Sequence, residues 1–298
     1  MPGLSILIPV FNYDVAALVA ELRQQVPAWP GPVEIRLLDD NSTSDFRQQH
    51  RPLGTLPGVY YAELPANVGR AAIRNALARQ AQYDYLLLLD NDSRLPDEQF
   101  LARYAAALSP AAPVLIGGTT YHAAPPADPA LRLRWLYGRA RERRPAAERQ
   151  RDPGGQLAIN NALLTKDILS RFPLDERLSG YGHEDTRLGL ELTRAGIAVG
   201  HLDNPVLHEG LEPAAVFLAK SRQAVRNLAQ VLRTDNLGAD TRLARAAARL
   251  RQLGLAGPAR AALDALAPGL RRNLLSARPD LRALDALKLG WLLEELGK

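Results

Sequence analysis

No cysteine occurs in the 298-residue chain, which excludes structural disulfides, thiolate metal sites and a cysteine nucleophile. Aromatic residues make up only 6%, and none are interleaved with basic residues in the manner of a base-stacking surface. Zinc-finger spacing and an RNA-recognition signature are also lacking, so nucleic acid is not expected as a partner. No apolar run approaches the roughly 20 residues that span a bilayer. The short run at residues 5–10 has no basic region before it, so no secretory signal is read and a cytoplasmic location is expected. What is present is ordinary for a folded chain: 47% hydrophobic and 23% charged residues, enough for one large α/β domain and an appendage. The formal charge of +5 is carried by arginines concentrated at 132–151 and 242–251. Such stretches suit anionic substrates or headgroups, or are simply solvated faces.

The most informative stretch is Tyr85-Leu86-Leu87-Leu88-Leu89-Asp90-Asn91-Asp92, an apolar strand run that ends in two carboxylates one residue apart. The crevice beyond the carboxyl ends of parallel strands is where ligands bind. Two acidic side chains crowded there repel unless a cation lies between them, and a hard divalent ion with positions open to phosphate oxygens meets that need. A solvated turn is the plain alternative, since Asp and Asn are common turn residues.

Strand-like runs at residues 4–10, 34–39, 59–64, 85–90 and 114–117 alternate with helical patterns, as expected of parallel βαβ units. Asp14 is a good N-cap for a helix carrying Val15, Leu18, Val19 and Leu22 on one face. A second crossover helix opens near Asn67-Val68-Gly69 and runs through Arg74 and Leu77. The Pro-, Ala- and Arg-rich stretch at about 121–155 reads as a long loop with one short helix near 131–139. Strand-like segments are expected at 156–165, 174–181 and 197–202, with a helix at 184–195 stopped by Gly196. Beyond residue 212 the pattern is wholly helical, so 1–211 is expected as one domain and 212–298 as a helical C-terminal extension. Within it, Leu243, Ala246, Ala247, Leu250 and Leu253 make an apolar stripe beside Arg242, Arg245, Arg249 and Arg251. That stripe would dock on the 1–211 domain, lie peripherally on an anionic membrane at its inner face, or self-associate.

In order, Ser5-Ile6-Leu7-Ile8-Pro9-Val10-Phe11-Asn12, Leu38-Asp39-Asp40-Asn41-Ser42-Thr43, Asn67-Val68-Gly69 with Arg74-Asn75, and Leu89-Asp90-Asn91-Asp92 resemble the inverting family 2 glycosyltransferases. Downstream, Leu174-Asp175-Glu176-Arg177-Leu178, Gly180-Tyr181-Gly182-His183-Glu184-Asp185 and Leu207-His208 resemble the acceptor-side half of the same family. The resemblance implies a GT-A fold, a Rossmann-like and mostly parallel sheet flanked by helices. It implies a nucleoside-diphosphate sugar as donor, most often UDP-linked with dTDP and GDP open, and a glycan, lipid-linked or protein acceptor. Asp40 would contact the base, Pro9 and Phe11 would wall the nucleotide, and Asn67, Arg74 and Asn91 would line the donor site. For Asp40 the plain alternative is a turn bond to Ser42 or Thr43, and for Arg74 a surface ion pair.

Asp92 would be the direct ligand of Mn²⁺ or Mg²⁺, with Asp90 on ribose or a metal-bound water and His208 completing the site. Imidazole suits Mn²⁺ better than Mg²⁺. Ser93 stands where many relatives carry another acidic residue, which leaves two carboxylates. Asp185 would be the general base with Glu184 as its hydrogen-bonding neighbour, and His183 would help bind phosphate or acceptor. The helix start at Glu184-Asp185 is expected to keep an exposed carboxylate ionised. Neither the transferred sugar nor an oligomeric state is specified.

Competing readings are a non-catalytic sugar-nucleotide-binding module of the same fold and a sugar-phosphate nucleotidyltransferase. The latter should carry a Gly-rich basic loop where Pro9-Val10-Phe11-Asn12 stands. A dinucleotide-dependent oxidoreductase would need Gly-x-Gly-x-x-Gly after a strand, and it is missing there.

Overall fold

The run at residues 4–10 is apolar on both sides because it lies at the middle of a sheet covered on both faces. In the computed structural model, which describes residues 2–109, 111–178, 180–234, 238–239 and 241–297, it forms β1 (Leu4–Val10). The other strands are β2 (Val33–Asp39), β3 (Val59–Glu63), β4 (Tyr85–Leu89), β5 (Ser93–Arg94), β6 (Val114–Ile116), β7 (Thr119–Thr120), β8 (Asn161–Thr165), β9 (Val199–His201) and β10 (Val206–His208). Seven build the main sheet in the order β3-β2-β1-β4-β8-β6-β9, and β5-β10-β7 form a small second sheet. Strand pairing is parallel throughout the main sheet except at β8, which runs antiparallel to both β4 and β6.

Alternation along the strands sorts the core into two layers. Ile6 and Ile8 of β1 with Leu87 and Leu89 of β4 pack on the helix Ala16–Gln25, while Leu7, Leu86 and Leu88 pack on the helices Arg70–Gln80 and Glu184–Arg194. The period of two therefore aims the residue after Leu89 toward the Arg70–Gln80 side. Asp14 caps the first helix, its Oδ1 accepting from the Ala16 amide at 2.9 Å.

Three stretches differ from the sequence expectation. Of 156–165 only Asn161–Thr165 is strand, because residues 156–160 turn so that the Asn160 carbonyl accepts the Asp90 amide. The strand expected at 174–181 is not formed by 174–178, which turn, or by 180–181, and residue 179 lies outside the described residues. In the loop at 121–155 the expected short helix is present as Arg132–Tyr137, opened by a 3₁₀ turn (Pro129–Leu131) that Asp128 caps, and the departure is a further helix, Ala146–Arg149. Nor is this stretch wholly surface. Arg149 is 4% exposed and donates to the carbonyls of Ile116, Gly117 and Leu202, holding the ends of β6 and β9.

The chain divides into two compact units: Met1–Tyr121, Glu142–Arg177 and Glu184–Gly210 form one, and His122–Arg141, Leu178–His183 and Leu211–Lys298 the other. In the second unit, Leu243, Ala247 and Leu250 of the helix Arg242–Gln252 pack on Val225, Leu228, Leu292 and Leu293 of the helices Ala214–Thr234 and Leu281–Leu296. The basic helix thus spends its apolar stripe inside its own unit. Ala244 faces inward in place of Ala246, and Leu253 is left 62% exposed. Among the described residues no helix is long and apolar enough to cross a membrane.

Candidate functional site

The carboxyl ends of β1 and β2 are laced together before any charged group is placed. Asn12 and Asn41 adopt left-handed backbone, φ 46° and 63°, which asparagine tolerates better than most residues. The Asn12 amide donates to Ser42 Oγ at 2.9 Å, and the Thr43 amide donates to Asn12 Oδ1 at 2.8 Å. Phe11 is thereby held 48% exposed at the strand end, and Pro9 is half-buried behind it.

The two aspartates of Leu38-Asp39-Asp40 divide their work. Asp39 is fully buried and makes the turn bond, accepting the Ser42 amide at 2.6 Å. Asp40 does not make it. Its Oδ1 accepts the Val68 amide at 2.7 Å and its Oδ2 the Gly69 amide at 3.1 Å, while its carbonyl accepts Asn67 Nδ2. The carboxylate thus binds the amides that open the helix Arg70–Gln80, where negative charge is favoured. Gly69 sits at φ 87°, a conformation a side chain would strain. Each Asp40 oxygen still has a lone pair beyond those bonds.

Arg74 lies one turn into that helix and is 2% exposed. Its Nη2 donates to Asp90 Oδ1 and its Nη1 to the Arg70 carbonyl at 3.0 Å, leaving Nε as a buried donor with no hydrogen bond. Arg70 extends the network: its Nε donates to Glu184 Oε1 at 2.9 Å, and its Nη2 lies 3.6 Å from Asp90 Oδ2. Burial pushes the carboxyls of Asp90 and Glu184 up, but the arginine charges outweigh it and hold both below their ordinary values. Sequence reasoning did not single out Arg70. Its one signal was the i, i+4 spacing to Arg74 on a helix facing the strand ends.

Asp185 follows Glu184 yet titrates in the opposite direction. Burial, the neighbouring Glu184 charge and Asp90 push it up to about 7, against the pull of Arg74 and Arg70. Its Oδ1 is shielded from solvent and accepts no hydrogen bond. The helix dipole was expected to keep this group ionised; desolvation and two neighbouring carboxylates prevail over it. His183, immediately before, has φ 73°. Gly180-Tyr181-Gly182 is tied to the helix Ala214–Thr234 through Asn227 Nδ2, which donates to the Tyr181 and Gly182 carbonyls at 3.3 and 3.0 Å.

Asp92 stands apart from Asp90. The antiparallel pair β5–β10 sets His208 opposite Ser93, and so brings His208 Nδ1 to 3.3 Å from Asp92 Oδ1. That oxygen is buried and accepts no hydrogen bond. Gly210 backs the carboxylate so closely that a Cβ there would run into it. Asn91 Nδ2 donates to the Phe11 carbonyl at 3.4 Å. The three expected ligands do not gather as one cluster: Asp92 and His208 meet, whereas Asp90 is turned to the arginines by the alternation of β4. Among the described residues no three acidic or histidine side chains converge to hold a metal ion unaided. An unsatisfied carboxylate oxygen beside an imidazole does suit a divalent cation that keeps positions for ligand oxygens.

Asn75, next to Arg74, latches the downstream segment. Its Nδ2 donates to the Leu174 carbonyl at 2.8 Å and to Glu176 Oε1 at 2.9 Å, and its Oδ1 accepts the Leu174 amide at 3.0 Å. Asp175 is bound by Arg177 and Arg187, so this part of the Leu174–Leu178 motif is scaffold.

Comparison with known proteins places this geometry. The family described as glycosyl transferase family 2 matches residues 5–164. No curated protein matches the sequence significantly. Among solved structures, a mannosyltransferase from Pyrobaculum calidifontis in complex with GDP-Man and Mn²⁺ superposes with a TM-score of 0.59 at 15% identity, over 99% of this chain and 86% of that one. S. aureus TarS 1–349 in complex with UDP gives 0.52 at 16% identity, over 99% and 90%. Glucosyl-3-phosphoglycerate synthase from Mycobacterium tuberculosis with Mn²⁺, UDP and glucosyl-3-phosphoglycerate gives 0.53 at 18%, over 77% and 79%. At these identities the likeness carries the fold, a GT-A sheet followed by C-terminal helices.

Proposed function

The chain belongs to glycosyl transferase family 2, and on that premise we propose that it moves a sugar from a nucleoside-diphosphate sugar to an acceptor hydroxyl by a single, inverting displacement. The observation that carries this reading is the Arg70 bridge between Asp90 and Glu184. It ties the strand end that would meet the donor to the helix start that bears Asp185, the carboxyl whose proton affinity is raised to about 7. A base with that affinity combines a useful ionised fraction at neutral pH with the strength to take a proton from an attacking hydroxyl.

In this reading Asp185 accepts the acceptor's proton at its carboxylate. Glu184, held ionised by Arg70, keeps that proton affinity high. Phe11 and Pro9 wall the base, Asp40 accepts a base N–H with a remaining lone pair, and Arg70 and Arg74 hold Asp90 toward the ribose. Asn67 and Asn91 shape the donor pocket edge through their backbone partners, and His183, which precedes Glu184 in the chain, would help bind phosphate or acceptor. Asp92 and His208 would hold a divalent cation, Mn²⁺ rather than Mg²⁺ by the imidazole, and bound there it would neutralise the departing nucleoside diphosphate. UDP is the proposed nucleotide, and the neighbour with GDP-Man makes guanosine donors the first comparison. The acceptor is a glycan, a lipid-linked sugar or a protein, and the protein works in the cytoplasm. The exposed Leu253, Leu255, Leu266 and Leu275 of the C-terminal unit lie among arginines and would be its contact with a lipid surface.

A thermal-shift screen of UDP-, GDP- and dTDP-sugars with Mn²⁺, followed by product analysis, tests the reading. A donor-dependent shift and an inverted anomeric centre are expected. Retention at that centre would rule out single displacement.

A further inference from the structure

Tyr121 and Glu142 are the residues at which the chain leaves the first unit and re-enters it. Their side chains meet at the base of that excursion, the Tyr121 hydroxyl donating to the Glu142 carboxylate. The Tyr121 ring is 4% exposed and stands edge-on to the His208 imidazole, with centroids 5.4 Å apart and planes at 66°. His208 in turn faces the unsatisfied oxygen of Asp92 at 3.3 Å.

His208 comes from a strand of three residues; the ladder to Ser93 fixes its backbone, and its side-chain contacts set the ring. A ring free to turn about its two side-chain torsions presents its nitrogens in many directions, and only a few of them share a ligand with Asp92. A second aromatic packed edge-on removes most of that freedom, since such pairs have a preferred geometry. The phenol is itself fixed by Glu142. The hydroxyl of a buried tyrosine needs a partner, and a carboxylate acceptor makes a strong one.

We propose that Tyr121 is a positioning residue for His208, and that its clasp with Glu142 couples the Asp92–His208 pair to the base of the 122–141 excursion. The inference rests on the reading that Asp92 and His208 hold the divalent cation. Outer partners that orient a ligating histidine typically change metal affinity about 10- to 100-fold when removed. The strand end carrying the excursion thereby affects cation binding without contributing a ligand to it.

The test is Mn²⁺ affinity, measured by electron paramagnetic resonance in the presence of UDP, for the full-length parent, Tyr121→Leu, Tyr121→Phe, His208→Ala and the His208→Ala/Tyr121→Leu double variant. Circular dichroism and thermal melting establish that each is folded. Tyr121→Leu should weaken Mn²⁺ binding about tenfold. Tyr121→Phe, which keeps the ring and loses the clasp, should weaken it less, by about threefold, below the range for losing an outer partner altogether. In the His208→Ala background Tyr121→Leu should cost nothing further, because residues acting through one group are not additive. An unchanged affinity in Tyr121→Leu, or the same tenfold loss with and without His208, would overturn the positioning role while leaving the metal reading intact. Should His208→Ala bind Mn²⁺ as tightly as the parent, the metal reading itself fails and the positioning role falls with it. If Tyr121→Leu does not fold, Tyr121→Phe with and without His208→Ala decides by the same criterion.

Discussion

Arg74 closes on Asp90, its Nη2 donating to Oδ1 while Nη1 reaches back to the Arg70 carbonyl. Asp90 and Asp92 are one residue apart in the chain and live in different electrostatic worlds. The first is neutralised by two arginines of the protein itself. The second has one imidazole beside it and an oxygen with no hydrogen bond. A cation added to this strand end therefore has Asp92 to satisfy, and the Asp90 charge is already balanced.

Arg74→Met should be strongly destabilising, because it removes the main partner of a largely buried carboxylate. Breaking one side of a buried pair costs about 3–5 kcal/mol. The lower end is expected here because Arg70 remains 3.6 Å from the other oxygen. Asp90→Asn placed in the same background should recover most of the loss in a urea unfolding series. Additive losses for the two substitutions would mean that the contact contributes little.

Asp92→Asn should leave the fold and its melting temperature nearly unchanged and weaken Mn²⁺-dependent UDP binding at least tenfold, about 1.4 kcal/mol. The amide keeps the shape and removes the charge from an oxygen that no protein donor satisfies. Isothermal calorimetry with and without Mn²⁺ separates the two contributions. Equal affinity for parent and variant in Mn²⁺ would remove Asp92 from the cation site.

For Asp185→Asn, donor binding should persist while kcat falls roughly 10²- to 10⁴-fold. The pH profile of the parent follows from the raised carboxyl. With Asp185 as the proposed base the ionised form is the active one, so kcat/KM should rise with pH and level off above about 7. Arg70→Gln removes a charge that pulls this group down, so the rising limb should move to higher pH. Stability runs the other way. A carboxyl whose folded value is raised contributes stability below its unfolded value, near 3.9, and loses it as pH rises through the folded value. Asp185→Asn should therefore melt a few degrees above the parent at pH 8 and no higher at pH 4. A flat kcat/KM profile between pH 5 and 8 would assign the proton transfer elsewhere.

How much of this was legible depended on the range of the interaction. β1 and β4 were readable because both faces of a central strand are buried, so their residues form unbroken apolar runs, and the acidic end of β4 followed directly. The Asp14 cap and the opening of the helix after Gly69 were readable for the same local reason. What was hidden lay in long-range pairing. Nothing near Val206 announces that β10 will sit against Ser93, and nothing near Tyr121 announces an imidazole. The opposed titrations of Glu184 and Asp185 were unreadable too, because the lowered value of Glu184 rests on Arg70, more than a hundred positions earlier, and the raised value of Asp185 on burial and the Glu184 charge. The stripe Leu243, Ala247, Leu250 was correct as a pattern, and its partners within the same unit could not be read from it.

Asp40 supplies a prediction that separates scaffold from recognition. Its carboxylate holds the Val68 and Gly69 amides, so Asp40→Ala would free the opening of the helix Arg70–Gln80 and displace Arg70 and Arg74 with it. Asp40→Asn is the sharper probe. One oxygen still accepts the Val68 amide, while the charge at the helix start is lost and an amide donor faces whatever the second oxygen faced. The loss of a charged helix-start contact costs about 1 kcal/mol. If the carboxylate also accepts a base N–H, UDP affinity should fall by a further factor of about ten, as expected for a hydrogen bond to a charged group. Mn²⁺ dependence should stay intact, because Asp92 and His208 are untouched. Parallel measurement of melting temperature and UDP affinity resolves the two roles: a modest stability loss with parental UDP affinity would make Asp40 a latch for the Asn67–Gly69 turn and nothing more.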